Sequence, residues 1–446
     1  MHIAIIGNGV SGITAARFIR KLSDHRITVI SAESDHFFSR TALMYIYMGH
    51  MRYEDTKPYE DWFWEKNRID LKNAYVEKVN PQNKTIHLRG GEEMAFDKLI
   101  IAAGSESNKF GWPGQDLDGV HGMYTLQDLE AMERHSDGLK NAVIVGGGLI
   151  GIEMAEMFHS RHIPVTFLVR ESAYWNNVLP KEESDMVSRH ILENNIDLQL
   201  STELKEIVDD GNGKACAVIT NKGDRIDCGF VGLTAGVHPN ISFLKDSGIE
   251  TQRGILVNEH LETNIPDIYA IGDCAQLREP REGRRNIEAI WYTGKMMGET
   301  VAYNICTKPV SYNPGIWFNS AKFFEIEYQI YGTVLANAPD NHKSLYWEHS
   351  DGRKAIRIVY DTADKDTILG FHLMGIRYRH EVCEKWIFEK ANVSTVLENL
   401  ELANFDPEFY KTYEQELVKL YNQQSGKQLS LKKKNSWNAV FDFLKS

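Results

Sequence analysis

Two copies of one short pattern constrain this chain more than any other feature. The segment IIGNGVSGITAARFIRK near the N-terminus is echoed mid-chain by IVGGGLIGIEMAEMFHS, so that Gly7, Gly9 and Gly12 recur as Gly146, Gly148 and Gly151. Each copy follows a short Ile/Val run and opens a segment of helical periodicity. The spacing has a physical reading. The first glycine makes a tight turn, the second lets backbone approach a pyrophosphate, and the third allows close helix–strand packing, with the phosphates at the helix N-terminus. A single triplet of this kind also occurs in ordinary loops. Two in full strand–turn–helix context predict an α/β chain with two Rossmann-like dinucleotide-binding domains. After the first helix, the run ITVI leads to Glu33, about 20 residues beyond the third glycine, where a carboxylate can accept the hydroxyls of an adenosine ribose.

Further landmarks suggest how the two units are joined. The stretch FDKLIIAAG reads as a buried strand entering a turn at Ala103 and Gly104, and Trp112-Pro113-Gly114 then punctuates the chain. A β-rich region runs to GVHPN at 236–240. In TNIPDIYAIGDCA a strand then delivers Gly272 and Asp273 to a turn. The expected domains are therefore a discontinuous first domain of 1–113 and 241–314, a second of 114–240, and a third of 315–446. In the last, strands such as KAIRIVYD and TILGFHLMG precede helical runs at 380–397 and 406–423, which predicts an α+β domain.

Composition narrows the class of partner. The net charge of −12 opposes binding to phosphate backbones, so nucleic acid is not expected. No run reaches the roughly 20 apolar residues of a membrane span, and no signal-peptide pattern is seen, so the chain reads as cytoplasmic. The five cysteines, Cys216, Cys228, Cys274, Cys306 and Cys383, include no CxxC and read as reduced thiols, with Cys216 and Cys228 as neighbours across a hairpin.

In the order of these landmarks the chain resembles the FAD-dependent pyridine nucleotide–disulfide oxidoreductases: a glycine triplet, an Ala-Gly turn, a second triplet, GVxPN and a late Gly-Asp. The resemblance implies FAD on Gly7, Gly9, Gly12, Ala103, Gly104 and Gly272, with Asp273 on the flavin's ribityl chain. It implies a nicotinamide nucleotide on Gly146, Gly148, Gly151 and Gly236, and a homodimer through the third domain. Disulfide-reducing members carry one or two cysteines in the segment that here reads ESDHFFSRTALMY; this chain has none, and Arg40 cannot act as a redox nucleophile. Glu33, Arg40 and Leu43 fit instead the ExxxxxxRxxL pattern of ferredoxin- and rubredoxin-reductase-like members. Those proteins continue to a Lys paired with a Glu beside the flavin. Here Tyr45 stands for the Lys and Glu153 for the Glu, either hydrogen-bonded to each other or with Glu153 as a helix-start carboxylate favoured by the dipole.

The resemblance further implies that a nicotinamide nucleotide reduces FAD, with the helix of NIEAIWYTGKMMGETVAYNI, begun near Asn286 or Ile287, pointing its N-terminus at the flavin or simply packing in the core. Arg170, placed to meet a 2′-phosphate, favours NADPH, whereas Glu171 and Asn176 oppose it. Electrons then leave either to a ferredoxin- or rubredoxin-type protein or to a small oxidant such as a quinone. The loop bearing Arg278, Arg281, Arg284 and Arg285 is either a docking patch for an acidic carrier or a solvated loop neutralised by Glu279 and Glu282. At 431–446, Trp437, Val440, Phe441 and Leu444 form one helical stripe after Lys432, Lys433 and Lys434, suited to a membrane surface, to its own subunit or to a dimer partner. A redox-controlled binding switch is the non-enzymatic alternative. No metal is expected, because HEVC at 380–383 is not a complete ligand set.

Overall fold

The apolar run before the first glycine triplet forms the central strand, His2–Ile6, of a parallel sheet. The strand order is Ile268–Ala270, Lys98–Ile101, His2–Ile6, Arg26–Ser31, Ile69–Asn73. Ile3 pairs with Ile27 on one side and Ile5 with Ile100 on the other. Ile3, Ala4 and Ile5 are completely buried, as expected of parallel strands covered on both faces. The second run repeats this plan: Ala142–Val145 lies between Val165–Val169 and Phe230–Leu233, and the latter pairs with Val120–His121, all in parallel.

The structure is a computed structural model that describes residues 1–405, 411–432, 440 and 443–445. They divide into two compact units, Met1–Leu168 with Thr202–Pro314, and Val169–Ser201 with Gly315–Ser446. The first unit holds both parallel sheets. Small antiparallel sheets accompany them, Val76–Asn80 with Thr85–Leu88 and Glu93–Ala95, and Leu204–Asp209 with Ala215–Thr220 and Arg225–Asp227. In the latter region the Cys228 N–H donates to the Cys216 carbonyl at 3.0 Å, and both side chains are free thiols. Gly114 marks a close crossing, since a Cβ there would lie 2.2 Å from the Ile207 carbonyl oxygen.

The long helix expected to begin at Asn286 or Ile287 begins instead at Trp291 and runs to Cys306. Residues 284–288 are held out of it. Arg284 forms a buried bidentate pair with Glu288 at 2.7 and 2.6 Å, and the Leu277 N–H donates to the Asn286 carbonyl at 2.8 Å. The helix packs against Val10–Leu22 so closely that a Cβ on Gly298 would lie 2.5 Å from the Ser11 carbonyl oxygen.

The second unit is built on a five-stranded antiparallel sheet, in the order Phe318–Phe323, Ile326–Gly332, Thr367–Met374, Ala355–Asp361, His342–Glu348. The helical run expected at 380–397 is two helices, His380–Phe388 and Val393–Glu398, because Lys390 takes a left-handed φ of 52° and Asn392 caps the second. Of the second run, 406–410 lies outside the described residues, and the helix is Glu414–Ser425. Val440, Phe443 and Leu444 pack against the core of this unit, Lys385 Nζ donates to the Phe443 carbonyl at 2.7 Å, and Lys432 pairs with Glu398. Trp437, Phe441, Lys433 and Lys434 lie outside the described residues. No helix among the described residues is long and apolar enough to cross a membrane.

A buried ionic cluster ties helix Lys181–Glu193 to this sheet. Arg357 donates to both oxygens of Glu183 at 2.7 and 2.8 Å, to Glu182 at 2.7 Å and to the Ser344 hydroxyl, while His372 Nδ1 lies 3.1 Å from Glu183. Burial alone would raise the Glu183 carboxyl, but the hydrogen bonds and charges of His372 and Arg357 outweigh it and hold it at about 2. A carboxyl depressed on folding contributes stability that is complete above its unfolded value and is lost as the pH falls through its folded value. The stability tied to Glu183 should therefore disappear as the pH falls from 4.5 toward about 2. Glu183→Gln should cost about 3 kcal/mol, because it leaves Arg357 buried with half its countercharge removed. Urea unfolding of the variant and the parent, repeated down the acid limb, checks both statements, and the variant should lose much of the parent's acid sensitivity.

Candidate functional site

The six glycines separate into two kinds. Gly7 sits at φ 109°, and a Cβ there would lie 2.1 Å from the Ala102 carbonyl oxygen; one on Gly12 would lie 2.0 Å from the Gly7 oxygen. The second triplet repeats this, with Gly146 at φ 120° and 2.7 Å from the Thr234 carbonyl, and Gly151 at 2.2 Å from the Gly146 oxygen. The middle glycines differ: a Cβ on Gly9 or Gly148 would meet nothing within 4 Å. Each stands at the N-cap of a helix, Val10–Leu22 or Leu149–Ser160, with no side chain capping it and no acidic residue in the first turn. The positive dipole end of each helix thus lies beside open space, the surroundings a diphosphate needs.

Around the first triplet, residues far apart in sequence converge. Arg40 and Glu33 form a bidentate pair at 2.7 and 2.5 Å. Glu33 also accepts the Leu126 N–H at 3.0 Å, and Arg40 donates to the Tyr124 carbonyl. With three hydrogen bonds already on Glu33, about one of its four acceptor positions remains for a ribose hydroxyl. The Tyr124 hydroxyl accepts the Ser105 N–H at 3.0 Å and donates to Asp273 Oδ2 at 3.0 Å, and Ser105 Oγ reaches the same oxygen at 3.5 Å. Burial pushes the Asp273 carboxyl above its ordinary range, opposed by the Tyr124 hydrogen bond and the Arg40 charge. Burial and the nearby Asp273 carboxylate raise Tyr124 as well, so it remains a phenol that donates.

Tyr124 was not singled out by the sequence. The legible signal there is the capping box of the next helix, Leu126–Ser136, in which Thr125 and Asp128 bond each other's backbone N–H groups. That pattern marks where the helix starts and is silent on the tyrosine before it. The turns fit around this cluster. Ala103 and Gly104 follow strand Lys98–Ile101, and a Cβ on Gly104 would lie 2.9 Å from the Tyr124 hydroxyl. A Cβ on Gly272 would lie 2.4 Å from Ser11 Oγ, which seats the Asp273 turn on the first helix. Gly236 lies beside Asn108, and the Asn240 N–H donates to the Gly104 carbonyl at 3.0 Å, so GVHPN and the Ala-Gly turn are neighbours.

The helix of Tyr45, Leu43–Tyr47, packs on that of Glu153, Leu149–Ser160, through an edge contact of Tyr47 with Phe158 at 5.8 Å. The Tyr45 ring stacks on His50. Glu153 is the fifth residue of its helix, beyond the first turn in which the dipole acts strongly, which weakens the helix-start reading. In the second unit, Arg170 Nη2 donates to Glu171 Oε1 at 2.9 Å. Two of the four arginines of the loop are neutralised, by partners other than Glu279 and Glu282: Arg278 pairs with Glu250, and Arg284 with Glu288.

The sequence pattern of the pyridine nucleotide-disulphide oxidoreductases matches residues 1–298. An NADH oxidase of Methanocaldococcus jannaschii is 31% identical over 356 residues, covering 77% of this chain and 78% of the relative. An NADH-rubredoxin oxidoreductase of Clostridium acetobutylicum is 27% identical over 405 residues, covering 89% of this chain and 99% of the relative. Among solved structures, a NAD-dependent persulfide reductase from A. fulgidus superposes with a TM-score of 0.83 at 21% identity, over 96% of this chain and 84% of that one, a likeness of fold.

The cradle, the Glu33–Arg40 pair and the Tyr124–Asp273 contact together fit FAD. Tyr124→Phe removes one hydrogen bond to Asp273 and leaves the Ser105 N–H without its acceptor, which should weaken FAD binding about 10-fold, from a loss of roughly 1–2 kcal/mol. Fluorescence titration of the apoprotein with FAD measures it. Unchanged affinity would separate Tyr124 from the cofactor.

Proposed function

The chain belongs to the pyridine nucleotide-disulphide oxidoreductase family, and we propose that within it this FAD-dependent oxidoreductase carries electrons from NADH to a small redox protein of the ferredoxin or rubredoxin kind. The observation that carries the reading is Arg40. In the segment where thiol-using members carry a cysteine, this chain has Phe38, Ser39 and Arg40, the last a guanidinium locked between Glu33 and the Tyr124 carbonyl. Cys274, directly after Asp273, gives no substitute, because burial pushes its thiol up to about 12, far from a reactive thiolate.

When bound, FAD supplies the chemistry, accepting a hydride from the nicotinamide and passing its electrons on. The residues of the chain position and tune. The two helix N-termini at Gly9 and Gly148 bind diphosphates, Glu33 and Arg40 fix the adenosine side, and Asp273, held by Tyr124 and Ser105, orients the chain between ring and phosphates. Glu153 and Tyr45, on packed helices, are assigned to the flavin's side of the nicotinamide path.

NADH replaces the NADPH expected from Arg170. The Glu171 carboxylate occupies that guanidinium and would repel a 2′-phosphate, and the two relatives described above are named for NADH. For the acceptor, Arg281 and Arg285 are exposed and have no carboxylate partner among the described residues, leaving two of the four arginines to meet an acidic carrier. Among the described residues of the tail, Val440, Phe443 and Leu444 pack on their own unit, which gives the quinone and membrane reading no support. A homodimer through 315–446 belongs to the same proposal, with sedimentation as its test.

Anaerobic stopped-flow reduction should favour NADH at least 10-fold in kcat/KM, a difference of about 1.4 kcal/mol. Glu171→Gln should narrow that gap from the NADPH side. Arg281→Glu with Arg285→Glu should lower the rate of reoxidation by ferredoxin about 10-fold at low salt and flatten its salt dependence, with reduction by NADH unchanged. Faster reduction by NADPH, or reoxidation by quinone and not by a carrier protein, would overturn the corresponding part of the reading.

A further inference from the structure

Three side chains in the first unit converge in a way that their positions in the sequence do not suggest. Asp118 follows the crossing at Gly114, His121 ends strand Val120–His121, and His135 sits in the last turn of helix Leu126–Ser136. One donor atom from each lies within 4.8 Å of the other two. His135 Nε2 and Asp118 Oδ1 are 3.0 Å apart, and the imidazoles of His121 and His135 have centroids 5.5 Å apart. His121 Nε2 is buried and has no hydrogen-bond partner, an unusual state for a polar ring nitrogen. The His121 ring is stacked on Phe230 at 5.8 Å, which fixes its plane, and the Asp118 backbone is fixed on both sides, its N–H to the Gly213 carbonyl and its C=O to the Ala215 N–H.

We propose that Asp118, His121 and His135 form a binding site for a divalent transition-metal ion of the zinc type. The donor set decides the class. Two imidazole nitrogens and one carboxylate suit borderline ions such as Zn²⁺, whereas Ca²⁺ and Mg²⁺ prefer oxygen throughout. With metal–ligand bonds of about 2.0–2.2 Å, tetrahedral donors stand about 3.3 Å apart. The 3.0 Å between His135 and Asp118 is already close to that edge, and the His121 donor, within 4.8 Å of both, has at most about 1.5 Å to close. Three protein ligands leave a fourth position, and because Asp118 is 62% exposed on its side chain, that position opens to water. The ion would join strand to helix, and a metal that binds the folded state alone raises its stability.

The test uses the full-length, FAD-loaded protein, freed of metal with a chelator and titrated with ZnCl₂ against a chromophoric competitor. The expected result is one Zn²⁺ per chain, a raised thermal midpoint, and affinity reduced about 100-fold or more in His135→Ala. Asp118→Asn keeps the fold with a weaker ligand and should bind more weakly than the parent, which protects the test if a histidine variant fails to fold. CoCl₂ should give visible ligand-field absorption to the red of the flavin band, absent in His135→Ala. Failure of the parent to take up Zn²⁺, or equal uptake by parent, Asp118→Asn and folded His135→Ala, would overturn the proposal.

Discussion

The architecture of the first unit rests on a steric constraint, the near contact of backbone with backbone at the two triplets. Gly12 comes so close to the Gly7 carbonyl that a single added carbon would overlap it, and Gly151 stands in the same relation to Gly146. Helix and strand can approach this closely only where no side chain intervenes. That approach turns the N-termini of Val10–Leu22 and Leu149–Ser160 outward over the ends of Ile/Val strands. The placement of the helix dipole, which would attract a diphosphate, is thus a product of packing. The candidate cofactor site and the sheet core share one cause.

Charge is handled differently in the two units. In the second, Glu183, Arg357 and His372 are almost wholly buried, and Glu183 bonds to both of the others in a medium that magnifies both attraction and any missing partner, such as the one His372 Nε2 lacks among the described residues. Around Asp273 the arrangement is less closed. A carboxyl raised by burial is held by a phenol and more distantly influenced by a guanidinium that is itself neutralised by Glu33. The first arrangement fixes structure; the second leaves a polar group whose hydrogen bonding can respond to what lies beside it.

Much of this was legible in the residues because it is local. Glycine spacing, Ile/Val runs and alternating strands carry their geometry within a few positions, and the parallel sheets and the antiparallel sheet after residue 315 follow from them. The helix starts at Trp291 and not earlier because the Asn286 carbonyl accepts the Leu277 N–H and the Glu288 carbonyl accepts the Thr293 hydroxyl, bonds that apolar periodicity does not register. Tyr124 stayed hidden because its partners, Ser105 and Asp273, are brought to it by separate chain crossings. Arg170 misled for a related reason: its charge was visible, whereas the bond to the adjacent Glu171 depends on rotamers.

The middle glycines carry a different history from their neighbours. Gly7, Gly12, Gly146 and Gly151 are required by the fold itself, so any lineage that keeps this architecture must keep them. Gly9 and Gly148 face open space, and the chain alone gives no reason to forbid a side chain there. On the nucleotide-binding reading proposed above, selection at those two positions would come from the ligand. A descendant that retained the architecture but gave up one nucleotide would be free to drift at the corresponding middle glycine, leaving in its sequence a dated record of which half lost its cofactor.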